Sequence, residues 1–200
     1  MRIAVLASGS GSNLQAILDR ATDPGYPAEV VLVASDRPSA RALERAEAVG
    51  IRTALLPWEG DREAFTTTVC DAVEAAGAEG IVLAGFMRIL SAEAVERFPN
   101  RILNIHPSLL PAFPGGHAVE DALAHGVTVT GVTVHFVDEQ VDHGPIIAQR
   151  AVPVVAGDDV ASLHARIQAE EHSLYPDVVA DFAAGRLVVD GRHVHRKEPA

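Results

Sequence analysis

Asn104 and His106 stand two residues apart where an apolar run, RILNI (101–105), meets a histidine and then a proline. In a strand, residues two apart share a face, so Ile102, Asn104 and His106 point one way and Leu103 and Ile105 the other. Thr133 and His135 repeat the arrangement within VTVTGVTVHF (127–136), and the turn VDEQVDHGP (137–145) then carries Asp138, Glu139 and Asp142. A carboxylate beside a histidine raises the imidazole pKa and orients the ring. That combination suits general acid or base work, worth roughly 10²–10⁴ in rate. An asparagine adds an uncharged donor for a developing oxyanion, worth roughly 3–4 kcal/mol. Asn, His and Asp together are equipment for attack on a carbonyl. Ser108 lacks the G-x-S-x-G setting of a serine nucleophile, and Cys70 falls in the apolar pattern of a helix. The substrate is therefore expected to bring its own nucleophile.

A second group lies in SGSGSNLQ (8–15), between an apolar run and a helical stretch. Ser12 and Gln15 match a capping box, S-x-x-Q, which predicts the helix start there. Gly9 and Gly11 keep the backbone bare, and N–H groups at a helix N-terminus favour a phosphate. The loop has no lysine, so it is not an NTPase phosphate loop. Against the dinucleotide fingerprint G-x-G-x-x-G, Gly9 and Gly11 match and Leu14 replaces the third glycine. Asp36 stands where a ribose partner would. An NAD(P)-dependent oxidoreductase is thus an alternative, although a phosphate monoester suits the loop better. Glu171 falls on an apolar stripe of Val160, Leu163, Ile167, Leu174, Val178 and Phe182, where a carboxylate needs a salt-bridge partner or a ligand. Of nine histidines, His106, His117 and His135 could join Asp142 around a metal, but no metal-ligand spacing supports this.

These residues need elements to hold them. Apolar runs at 2–7, 28–35, 52–57, 80–85 and 101–105 alternate with helical stretches at 13–20, at 40–50 and around Phe65, Val69 and Val73. Continuous apolar strands alternating with helices predict a mostly parallel, doubly wound α/β sheet. Asn104 and His106 then sit at the C-terminal end of a strand, which lines the ligand crevice in such sheets. Residues 127–136 and 146–155 alternate in hydropathy and predict a more exposed antiparallel pair. A long helix is expected from Asp158 to near Gly185, with a kink at Pro176. LVVDGRHV (187–194) predicts a hairpin, and RKEPA a fraying tail. The chain reads as one domain over residues 1–200. Residues 1–100 form a Rossmann-like phosphate-binding half, 101–190 a catalytic half and 191–200 the tail.

The chain has 200 residues and a net charge of -11, with a single lysine, Lys197. That charge opposes nucleic acid and anionic membranes, and nothing approaches the ~18 apolar residues of a membrane span. One cysteine, Cys70, permits no disulfide within the chain. The expectation is a cytoplasmic protein acting on small molecules.

The segments SGSGSNLQ, LAGFMRIL (83–90), NIHPSLLP (104–111), FPGGHA (113–118), VHFVDEQVDHGP (134–145) and QAEEHSLYP (168–176) occur in one order along the chain. Together they resemble the folate-dependent formyltransferases, and most fully the phosphoribosylglycinamide formyltransferase branch. NIHPSLLP is shared more widely, including by the methionyl-tRNA enzyme. That relative has an extra C-terminal domain and the formyltetrahydrofolate deformylase an extra N-terminal one, for which this chain is expected to have no room. The resemblance implies transfer of formyl from 10-formyltetrahydrofolate to the amine of glycinamide ribonucleotide, with no metal. It implies that Gly11, Ser12, Asn13 and Glu171 bind the ribonucleotide. Arg62, Met87, Arg88, Ile89 and Leu90 would line the folate site, with Asn104 touching the formyl group. By the same similarity His106 is the general acid, Asp142 its carboxylate, and His117 and His135 supporting histidines. The family pattern often has serine at Thr133 and glycine at His143.

Overall fold

A computed structural model gives the fold over residues 1–197. Five apolar runs form the parallel strands β1 (Arg2–Leu6), β2 (Glu29–Ser35), β3 (Thr53–Leu55), β4 (Gly80–Leu83) and β5 (Ile102–His106). Two further strands, β6 (Val129–Phe136) and β7 (Ile146–Pro153), add antiparallel. The sheet has seven strands in the order β3-β2-β1-β4-β5-β6-β7. The helices are α1 (Ser12–Arg20), α2 (Arg41–Ala48), α3 (Arg62–Ala75), α4 (Ala92–Arg97), α5 (Ala118–His125) and α6 (Val160–Ala183). The chain leaves β1 for β2 on one side and reaches β4 on the other, so the winding reverses beside β1. The ends of β1 and β4 there splay their loops apart and leave a crevice.

The period of two divides each strand between the two faces. Ile3 and Val5 join Leu14 and Ile17 of α1, Ala42 and Ala46 of α2, and Leu163, Ile167 and Val178 of α6. Ala4 and Leu6 join Phe65, Val69 and Val73 of α3 and Ala94 of α4. Each fully buried Leu, Ile, Val or Phe contributes roughly 1.5–3 kcal/mol, so both helical layers are anchored by their apolar stripes. Tyr175 of α6 is fully buried and its hydroxyl donates to the Leu83 carbonyl at 2.8 Å, fixing α6 over the end of β4. Among the described residues, no helix is long and apolar enough to cross a membrane.

Several expectations change. The helix cap at Ser12 is absent: Gly11 is the N-cap, left-handed at φ 68°, with no side-chain cap. Gln15 instead donates to Asp19 and accepts from Arg45, both at 2.8 Å. A Cβ on Gly11 would stand 2.8 Å from the Cα of Ala42, so close packing against α2 and a positive φ both require glycine. A capping box does occur, at Asp159 and Ser162 on α6. The pair β6–β7 is antiparallel as expected, yet β6 is buried almost throughout and only β7, at the edge, is half exposed. Leu163 and Ile167 cover one face of β6. On the other, Thr133 donates to the Ser108 carbonyl at 2.7 Å and accepts from the Leu110 N–H at 3.0 Å. Helices α4 and α5, of six and eight residues, were not foreseen, being too short to show periodicity. Helix α6 runs unbroken through Pro176. The hairpin pairs β8 (Leu187–Asp190) with β9 (His193–Arg196), so strand replaces part of the expected tail. Positions 198–200 of that tail lie outside the described residues.

Candidate active site

A cleft of about 520 Å³ opens at the C-terminal ends of β1, β4 and β5. One end is built from the glycine loop and α6. Gly9, Gly11, Ser12 and Asn13 form its floor, and His164, Gln168 and Glu171 face it from α6. Spacings of four and three put these three α6 residues on one helix face. Glu171 is 5% exposed, and its Oε2 accepts from the Asn13 amide at 2.9 Å. The partner of this buried carboxylate is therefore an amide in the first loop, where a salt-bridge partner or a ligand was expected. Asn13 Oδ1 is buried with no partner. A lone buried acceptor beside a carboxylate matches a ligand carrying hydroxyl or amine hydrogens. His164 and Gln168 escaped sequence reading; their helical spacing from Glu171 was the available signal.

The wall above is the segment 86–91, stitched down at four points. The Met87 N–H donates to Ser8 Oγ at 2.9 Å, and Arg88 Nε donates to Asp36 at 2.7 Å. Arg62 donates to the Leu90 carbonyl. The Ser91 N–H donates to Thr66 Oγ1 at 2.9 Å. The Arg88 guanidinium also lies over the Trp58 ring, 5.1 Å from its centroid. Met87 and Ile89 remain more than half exposed and line the cleft with Val141. Such an apolar wall, fixed from behind, suits a flat heterocycle. Arg62 itself is exposed and supports the wall from outside the cleft lining. Asp36, the ribose partner of a dinucleotide reading, has its carboxylate buried against Arg88 and lies outside the cleft lining.

At the other end β5 and β6 pair Asn104 with His135 and His106 with Thr133, which brings the two strand faces together. Asp142 arrives from the following turn in a left-handed conformation, φ 51°. A Cβ on Gly144 would stand 1.9 Å from the Phe136 carbonyl oxygen, so only glycine lets this turn close back onto β6. Asp142 Oδ2 accepts from the Gly115 N–H at 2.7 Å and lies 3.3 Å from His106 Nδ1. Its Oδ1 accepts from the Asn104 amide at 3.3 Å and lies 3.7 Å from His135 Nε2. The His106 Nε2–H donates to the Phe113 carbonyl at 2.8 Å. The His135 Nδ1–H donates to the Phe136 carbonyl at 2.7 Å, and Asn104 Nδ2 sits 3.2 Å from His135 Nε2. A neutral His135 accepts that amide hydrogen; a protonated one faces the carboxylate.

Burial alone would push the Asp142 carboxyl up. Hydrogen bonding from His135 and Gly115, with the charges of His106 and His135, outweighs it and holds the group below the usual carboxylate range. The residue therefore stays ionised. His117 is not brought in: it is exposed at the N-terminus of α5 and lines no part of the cleft. The ring of His143 pairs with Asp138, at 2.7 Å, and Arg192 Nη2 donates to its carbonyl at 2.7 Å. Cys70 is buried in α3, where burial pushes its thiol up to about 11, and the Ser108 hydroxyl is buried and donates to the Ala112 carbonyl. Neither is a poised nucleophile. Gly115 and Phe113, which hold Asp142 and His106, had no signal in the sequence beyond their loop.

The arrangement joins an anion-binding loop, an apolar wall and a cluster able to stabilise an oxyanion and move a proton. Known proteins resemble the chain over most of its length. The Mycobacterium tuberculosis phosphoribosylglycinamide formyltransferase is 48% identical over 192 residues, covering 96% of this chain and 89% of that protein. The Bos taurus trifunctional purine biosynthetic protein adenosine-3 is 46% identical over 195 residues. This chain spans 19% of the length of that protein and of its Homo sapiens counterpart. The crystal structure of glycinamide ribonucleotide transformylase 1 from Symbiobacterium toebii superposes with a TM-score of 0.96 at 50% identity, over 99% of this chain and 94% of that one. A model described as formyl transferase matches residues 1–179, and the chain belongs to that family.

Proposed function

We propose that the protein transfers the formyl group of 10-formyltetrahydrofolate to the amine of glycinamide ribonucleotide. The products are formylglycinamide ribonucleotide and tetrahydrofolate, as in de novo purine synthesis. The observation that carries this is the placement of Asn104, His106 and Asp142 within one network at the opposite end of the cleft from Gly11–Asn13 and Glu171. The names of the relatives support the same assignment.

In this reading the N–H groups of the glycine loop hold the substrate phosphate. Asn13 Oδ1 and Glu171 take hydrogens from the rest of the ribonucleotide. Met87–Leu90 and Val141 bed the folate ring, and that apolar wall fits it. The substrate amine attacks the formyl carbon, forming a C–N bond. Asn104 and His106 stabilise the carbonyl oxygen as it gains charge. Asp142 draws off the proton the amine must lose, directly or through water. That proton ends on the folate nitrogen as its bond to the formyl carbon breaks. In this reading residues 1–100 supply the phosphate loop and most of the folate wall, residues 101–190 supply the reacting groups, and Val141 and Glu171 of that second half also bind, within one working unit.

The test is an absorbance assay of tetrahydrofolate formation. Product should appear only when glycinamide ribonucleotide and 10-formyltetrahydrofolate are both present. Equal formyl loss without the ribonucleotide would mark a hydrolase and overturn the proposal. So would saturable NADPH binding with no transfer.

A further inference from the structure

The contacts of the three-residue segment Phe113–Gly115 go beyond the roles given above. Phe113 is a non-glycine residue at φ 52°, in the left-handed region that L side chains seldom adopt. In that conformation its carbonyl meets His106 Nε2 at 2.8 Å. Two residues on, Gly115, at φ 94°, gives its N–H to Asp142 Oδ2 at 2.7 Å. The same segment therefore grips both members of the His106–Asp142 pair from outside the cleft chemistry. A carbonyl only accepts, so the 2.8 Å contact is a hydrogen bond only with a hydrogen on Nε2; the ionised Asp142 also only accepts, but its Oδ2 stands farther off, 3.3 Å from Nδ1, and competes less for the single hydrogen of a neutral ring. Any second proton then sits on Nδ1, 3.3 Å from Asp142 Oδ2. The strained turn is itself held: the Phe113 ring packs edge-on against His125 of α5 with centroids 5.8 Å apart, and Ser108 donates to the Ala112 carbonyl. Strain of this kind persists only where the surroundings over-determine it.

We propose that Phe113 is a positioning residue whose left-handed backbone turns its carbonyl onto His106 Nε2 and so assigns the transferable proton to Nδ1, beside Asp142. The consequence rests on the formyl-transfer reading. If the ring took the other tautomer, Nδ1–H would face the carboxylate in the neutral ring, and Nε2 would meet the carbonyl with a lone pair. The general acid would then be aimed wrongly even with every side chain in place. The titratable groups facing His106 are Asp142 directly and His135 through Asn104 and Asp142.

The experiment is ¹⁵N NMR of the histidine rings of the full chain, with His106 assigned by the signal lost in His106→Gln. The neutral ring should be the Nε2–H tautomer; an Nδ1–H tautomer in the unsubstituted protein overturns the proposal at once. Two variants sharpen the test. Phe113→Asn and Phe113→Val both lose the aromatic contact with His125, but asparagine visits the left-handed region and a β-branched valine resists it. The valine variant should show mixed tautomers and lose roughly tenfold to a hundredfold in kcat with little change in KM. The asparagine variant should keep the Nε2–H signature and recover most of that loss. Equal damage in both variants, or an unchanged tautomer in the valine variant, would overturn the proposal. The tautomer is read without substrate, so its outcome stands apart from whether the transfer assay succeeds.

Discussion

The two ends of the cleft offer their ligands different physics. At the glycine-loop end the groups are backbone N–H donors, the side chains of His164 and Gln168, and one carboxylate, Glu171, already engaged by the Asn13 amide. At the β5 end Asn104, His106, His135 and Asp142 stand within 3.7 Å of one another's polar atoms along the network. Fixed dipoles bind an anion without changing charge state, whereas coupled acids and bases can pass a proton. The difference explains why one end is built on the start of a helix and the other on paired strand faces. A helix start concentrates N–H groups; residues two apart on paired strands share a face and set side chains at defined separations. It also predicts that damage at the two ends will fall on different kinetic constants.

The largest expected effect is at the proton-handling end. Asp142→Asn should lower kcat by about 10²–10⁴ while the fold and both KM values hold; steady-state kinetics at near-normal turnover would break the comparison. Glu171→Gln should instead raise KM for glycinamide ribonucleotide by about tenfold, the scale of one charge-assisted hydrogen bond, with kcat kept. A kcat loss matching that of Asp142→Asn would merge the two ends. Behind the apolar wall, Asp36→Asn should free Arg88 and raise KM for the folate by about fivefold, roughly 1 kcal/mol, leaving the ribonucleotide KM unchanged. Stability should also carry the mark of Asp142. Its pKa is depressed in the folded state, so its stabilising contribution is present above its ordinary value of 3.8 and is lost as the pH falls through the folded value. Urea midpoints followed into acid should therefore show the wild-type advantage over Asp142→Asn shrinking. The smallest effect belongs to Arg192→Ala: its contacts with His143 are exposed, and denaturation should register no more than about 0.5 kcal/mol.

The strands and their faces were legible because buried parallel strands write continuous apolar runs, and a period of two placed Asn104 with His106 correctly. Glu171 announced itself by breaking an apolar stripe. The cap at Ser12 misled because S-x-x-Q is a local pattern, and the close approach of Ala42 to Gly11 is a tertiary fact that overrode it. The burial of β6 could not be read from its alternating hydropathy, since the covering loop 108–110 binds Thr133 through backbone groups that sequence does not display. His117 matched a motif, but it stands exposed at the N-cap of α5, outside the cleft lining. Phe113 and Gly115 act through main-chain atoms, for which side-chain chemistry gives no sign.

The division of labour can be measured directly by calorimetric titration of glycinamide ribonucleotide into Asp142→Asn. The account predicts a Kd within about twofold of the unsubstituted protein's, because the residue that moves the proton does not hold the substrate, together with a turnover loss of about 10²–10⁴. A Kd weakened by tenfold or more, with turnover falling only in proportion, would contradict it.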